Sequence, residues 1–98
     1  MTIDKIIDRD SATLAITGRL DTSTAPALEG EIDAITNGLK ALTLDMSGLD
    51  YISSAGLRII LKAQKIMNVQ GSMKLIGVSD AVMDILDITG FLSILTVE

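Results

Sequence analysis

The feature that most constrains this chain is a change of hydrophobic period near its middle. Over residues 41–46 Leu42, Leu44 and Met46 alternate with Thr43 and Asp45, the period of two expected of a strand. From Ala55 to about Asn68 the apolar positions are Leu57, Ile60, Leu61 and Met67, widened by Ile59, Ala63 and Ile66. That spacing is helical, and Arg58, Lys62 and Lys65 fall on the opposite stripe. The segment 47–54 between them is polar and predicts a turn-rich loop. A strand feeding a loop that feeds an amphipathic helix is a building unit of α/β folds.

The rest of the chain fits the same class. Strands are predicted over 3–7 and 13–17, separated by a turn at Arg9-Asp10-Ser11, with Gly18-Arg19-Leu20-Asp21 leading out of the second. Ser23 or Thr24 can cap a helix with Pro26 in its first turn and Leu28, Ile32, Ile35 and Leu39 at helical spacing, ended by Asn37-Gly38. A short strand over 73–78 precedes a helix capped by Ser79, carrying Val82, Ile85 and Leu86 and ended by Gly90, and a last strand is predicted over 93–97.

Composition narrows the function. With 98 residues and no linker or low-complexity tract, the chain reads as a single domain over 1–98. It has neither Cys nor His, so it can form no disulfide, no thiolate and no Ser-His-acid triad, and it lacks the commonest zinc ligand. A metal would need oxygen ligands alone, and nothing resembles a calcium loop, so neither metal nor cofactor is expected. The net charge of -5 argues against nucleic acid, whose phosphates need a basic surface. Hydrophobic residues make up 48% of the chain but aromatics only 2%, so the core must be aliphatic, and a sheet buried on both faces is expected. No apolar stretch approaches the roughly 20 residues of a spanning helix. The opening MTIDKIIDRD is too charged for a signal peptide. These features predict a cytoplasmic protein without membrane insertion.

The segment that can carry chemistry is Leu44-Asp45-Met46-Ser47-Gly48-Leu49-Asp50-Tyr51-Ile52-Ser53-Ser54-Ala55-Gly56-Leu57. A helix start leaves backbone N–H groups unpaired and carries partial positive charge, so an anion there is stabilised twice. A phosphate on Ser54 would sit within reach of those groups and add roughly -1.5 to -2 charge. Equally, Ser53 or Ser54 can be a plain N-cap. Gly48 and Gly56 lack a nucleotide-cradling spacing, and Ser47 and Ser53 lack the Gly-x-Ser-x-Gly elbow.

Ser53-Ser54-Ala55-Gly56-Leu57, preceded by Leu49-Asp50-Tyr51-Ile52, resembles the phosphorylation loop of anti-sigma factor antagonists in the STAS family, whose name joins sulphate transporters with those antagonists. Gly18-Arg19-Leu20-Asp21 resembles the Gly-x-Leu-Asp turn after the family's second strand, and Leu44-Asp45-Met46-Ser47 its central strand. Val78-Ser79-Asp80-Ala81-Val82, with Leu86 and Gly90-Phe91, resembles its C-terminal helix and final turn. The likeness spans nearly the whole chain. It implies a small mixed sheet of about four to five strands packed with helices.

The resemblance also implies a partner switch. The unphosphorylated protein would bind an anti-sigma factor that is also a serine kinase, freeing a sigma factor for transcription. Phosphorylation of Ser54, with Ser53 as rival acceptor, would release the complex, and a serine phosphatase would reset it. The implied footprint is Asp21, Ser23, Thr24, Tyr51, Ser53, Ser54, Gly56 and Arg58, on a monomer or weak dimer. Family members often carry Asp before the acceptor and Ser or Thr after it, where this chain has Ser53 and Ala55. Two other readings compete: a constitutive adaptor in which Ser54 merely caps a helix, and an enzyme, ranked last because no base or metal set is visible.

Other residues have plainer readings. Asp21, Asp45 and Asp50 can form an acidic cluster, or else Asp50 caps a turn, Asp21 precedes a helix and Asp45 is structural. Arg58, Lys62 and Lys65 read as a solvated face that could meet an acidic partner. Phe91 is expected in the core, and Tyr51 either there or at an interface.

Overall fold

Residue parity organises the sheet. The computed structural model describes residues 1–98. Four strands lie in the order β1-β2-β3-β4. β1 (Thr2–Asp8) and β2 (Ser11–Leu20) form an antiparallel hairpin, β3 (Ala41–Ile52) pairs parallel with β2, and β4 (Ser72–Ile76) pairs parallel with β3. Each parallel connection holds a helix, α1 (Ala25–Ile35) and then α2 (Ser54–Gln70), and α3 (Asp80–Ile88) follows β4. The mixed sheet with helices expected from the sequence is therefore present.

The register aligns Ala12, Leu42 and Met73 across the sheet, and likewise Leu14, Leu44 and Leu75. These side chains join Leu28 and Ile32 of α1, Ile60, Ala63 and Met67 of α2, and Val82 and Leu86 of α3 in one buried cluster. The intervening residues differ: Thr13, Ala15, Thr43 and Asp45 are only partly buried, and Thr17 and Lys74 are exposed. Helices thus cover one sheet face, and the expectation of burial on both faces is overturned. The alternation of Thr and Asp with Leu along β2 and β3 marks the open face.

β3 departs most from expectation. It does not stop at Met46 but runs through the polar segment to Ile52. Two register shifts against β2, between Ala15 and Thr17 and between Gly18 and Arg19, each admit an extra residue on β3. Bulges of this kind re-aim side chains, so Leu49 and Ile52 return to the core although strict alternation is broken. Asp45 secures the first bulge by accepting bonds from the Ser47 N–H at 3.0 Å and hydroxyl at 2.7 Å.

The predicted strand over 93–97 is absent. Phe91–Ser93 form a 3-10 turn entered through Gly90, whose φ of 79° suits glycine. The amides of Ser93, Ile94 and Leu95 are spent on the carbonyls of Gly90 and Phe91, which leaves a single parallel bridge between Val97 and Leu75. Phe91 is partly buried against the core. α2 starts at Ser54, one residue before the prediction, and is tied to α1 by Lys62, which meets Glu29 at 3.0 Å and Asp33 at 3.2 Å. No helix is long and apolar enough to cross a membrane.

Candidate functional site

β2 and β3 are parallel neighbours and end together. The Ser53 N–H donates to the Leu20 carbonyl at 2.8 Å, so the chains leaving both strands start α1 and α2 side by side. Crevices outside the carboxyl ends of such strands are where α/β folds gather functional groups.

The β2 exit is organised by Asp21. Its carboxylate accepts from the Ser23 N–H at 3.0 Å, the Ser23 hydroxyl at 2.7 Å and the Thr24 N–H at 3.1 Å. The Ser23 hydroxyl, and then the Thr24 N–H, hold the Asp21 carboxyl below its ordinary range. Thr24 occupies the cap position of α1 but makes no side-chain cap bond. Its hydroxyl instead donates to the Arg19 carbonyl at 2.9 Å and accepts from the Asp21 N–H at 2.8 Å. Neither Ser23 nor Thr24 is the expected side-chain cap, because Asp21 draws both into a turn that comes before the helix.

The β3 exit separates the two serines. Ser53 is the N-cap of α2: its backbone is extended and its hydroxyl accepts from the Gly56 N–H at 3.2 Å. Ser54 is the first residue of the helix and is exposed. Gly56 lets α2 close on β2, since a Cβ there would lie 2.6 Å from the Leu20 Cγ. Arg58 is exposed one turn beyond Ser54.

Tyr51 is not a core residue. It pairs with Arg19 in register and is 37% exposed, with the Arg19 guanidinium 4.3 Å above its ring, a cation–π arrangement. The bulge that aligns Arg19 with Tyr51 has no local signature in the sequence, so their pairing emerges only from the register of β2 and β3. The structure also declines to gather the acids. Asp21 serves its own turn, Asp45 binds Ser47, whose hydroxyl chiefly lowers its pKa, and Asp50 is an exposed strand residue rather than a turn cap. No group of three acidic side chains is close enough to hold a metal ion.

The basic stripe on α2 is divided in the same way. Lys62 is neutralised by Glu29 and Asp33, which raise its pKa in that order. Arg58 and Lys65 are exposed and form no ion pair within the chain, and neither does Arg19.

Three comparisons bear on this arrangement. A family model described as the STAS domain matches residues 2–98. The Bordetella bronchiseptica protein BtrV, named among anti-sigma factor antagonists, is 39% identical over 99% of this chain and 84% of its own length. An anti-sigma factor antagonist from Mycobacterium paratuberculosis superposes with a TM-score of 0.88 at 23% identity, over 98% of this chain and 83% of that one. The Bacillus protein SpoIIAA superposes at 0.84 in its unphosphorylated form, with 15% identity over 99% of this chain and 88% of its own. In its phosphorylated form it superposes at 0.77, with 14% identity over 99% and 91%. At these identities the two structural likenesses speak for the fold alone.

Proposed function

This chain belongs to the STAS domain family, among relatives named as anti-sigma factor antagonists, and from that premise we propose that it is a phosphorylation-gated antagonist. Its unmodified surface at the ends of β2 and β3 binds an anti-sigma factor that is also a serine kinase. Phosphorylation of Ser54 releases that partner, and a serine phosphatase restores the binding form. The role is recognition rather than turnover, and it belongs in the cytoplasm.

The observation that carries the reading is the division between the serines. Ser53 is engaged as the helix cap, whereas Ser54 is exposed in the first turn of α2. A kinase can reach the second hydroxyl without dismantling the cap. The ends of the same two strands also carry Asp21, Ser23 and Thr24 in their turn, Tyr51 beneath Arg19, Gly56 against Leu20, and Arg58 one helical turn beyond Ser54. A phosphate placed there adds roughly -1.5 to -2 charge to the surface that meets the partner.

The test is isolation of the protein from its native host during growth and stress, with phosphatases inhibited, and localisation of phosphate by tandem mass spectrometry. A condition-dependent phosphate on Ser54 is expected. Phosphate confined to Ser53 would move the switch by one residue. Its absence under every condition would refute the gate and leave a constitutive adaptor.

A further inference from the structure

A phosphate on Ser54 has a partner in its own helix. Ser54 and Arg58 are both exposed and stand four residues apart in α2, which sets their Cβ atoms about 5–6 Å apart on one face. The order is the favourable one for an ion pair, with the anion nearer the helix N-terminus. Arg58 is also free to respond, since no acidic side chain of the chain holds it.

The neighbouring cations are less suited. Lys62 is occupied by Glu29 and Asp33, and Lys65 lies two turns beyond Arg58. Arg19 is stacked on Tyr51. Arg58 therefore stands as the nearest unpaired cation on the Ser54 face of α2, and its planar guanidinium can bind two phosphate oxygens at once.

We propose that Arg58 is the residue through which this chain reads its own phosphorylation: its guanidinium clamps the phosphate on Ser54 across one helical turn. The proposal rests on Ser54 being the acceptor. In the unmodified chain Arg58 lines a groove with Glu29, Ile59, Lys62, Lys65 and Ile66. Because Lys62 holds Glu29, the groove offers the free cations Arg58 and Lys65 beside aliphatic side chains. That chemistry suits an acidic, aliphatic surface on a partner. Clamping takes Arg58 out of the groove and changes the charge at its end from +1 to about -0.5 to -1. The switch then removes an attraction as well as adding a repulsion.

The experiment uses the full chain with phosphoserine installed at position 54 during translation, so that no kinase is needed. The second ionisation of the phosphate, ordinarily near 6, is followed by phosphorus NMR in the parent chain, R58Q and R58K. Helix-terminus effects are common to all three, so differences isolate Arg58. The expected result is a midpoint lowered in the parent chain, raised several-fold in proton affinity in R58Q and intermediate in R58K. Identical midpoints in the parent and R58Q would overturn the clamp, and an R58K midpoint equal to the parent's would overturn its two-point geometry. If the titrations differ as expected but no phosphate is found on Ser54 in cells, the gating proposal fails while the clamp stands.

Discussion

α2 packs against β2 at Gly56 with no room for a side chain, and this yields a signed prediction. A Cβ at position 56 would lie 2.6 Å from the Leu20 Cγ, 2.9 Å from its Cδ2 and 3.2 Å from its carbonyl oxygen. Leu20 is fully buried, so it has no open space to retreat into. Overpacking of this kind costs about 1–3 kcal/mol. Replacing glycine by alanine in a helix returns up to about 1 kcal/mol. The net for Gly56→Ala spans about 0–3 kcal/mol of loss and centres on about 1–2 kcal/mol, or a fall in Tm of roughly 5–15 °C at that centre for a domain of this size. The same chemical change at Gly30 supplies the control. Gly30 is exposed within α1 and a Cβ there meets nothing within 4 Å. Gly30→Ala should therefore gain about 0.4–1 kcal/mol through propensity and lost unfolded-state freedom. Thermal and urea unfolding followed by circular dichroism measure both variants. A Gly56→Ala protein as stable as the parent would refute the claim that contact with Leu20 demands glycine there. A Gly30→Ala protein less stable than the parent would refute the propensity argument that provides the comparison.

Three further outcomes follow from the same geometry. Ser53→Ala should cost about 1 kcal/mol through loss of the cap bond to Gly56, whereas Ser54→Ala should stay within about 0.5 kcal/mol of the parent; equal losses in urea unfolding would contradict the assigned roles. Leu44→Ala, at a fully buried position on β3, should cost about 2–5 kcal/mol, and a smaller loss by the same method would mean that the core collapses around the gap. The lowered carboxyl pKa values of Asp21 and Asp45 give stability that is fully present above the unfolded value of about 3.9 and is lost as pH falls through the folded values. Asp21→Asn should flatten that acid limb of Tm against pH, and an unchanged limb would show that the hydrogen bonds to Ser23 and Thr24 contribute nothing.

What the sequence made legible was what local period encodes. Leu42, Leu44 and Met46 announced the centre of β3, and the recurrence from Leu57 to Met67 announced α2, since each pattern belongs to one element and its burial. Ser53-Ser54 and Asp21 stood out because residues at strand exits and helix starts have their own chemistry. What was hidden depends on pairing between distant segments. The continuation of β3 to Ile52 requires β2 as a template and two bulges to keep Leu49 and Ile52 inside. The stacking of Arg19 on Tyr51 follows from that bulged register. The loss of the final strand comes from a competition among backbone amides that the alternation over 93–97 does not reveal. The open sheet face is written in Thr13, Thr17, Thr43 and Asp45, whose alternation with Leu and Ile is a local signal that the overall apolar content masks.

Under the proposed gate, the adjacent serines divide two tasks in a small fold. In a chain of 98 residues, a loss of one or two kcal/mol is a large part of the total stability. If the modified hydroxyl were the cap, phosphorylation would have to break the bond that starts α2. With the cap on Ser53 and an exposed hydroxyl on Ser54, a modification of Ser54 would leave the bond that holds the helix start intact. A phosphate on Ser54 would then add a favourable anion to the helix N-terminus, so the modified chain should be no less stable than the unmodified one. Thermal unfolding of the chain carrying phosphoserine at 54 tests this directly. A large fall in Tm would mean that the phosphate acts by loosening α2, and any loss of partner binding would then follow from unfolding rather than from a change of surface charge.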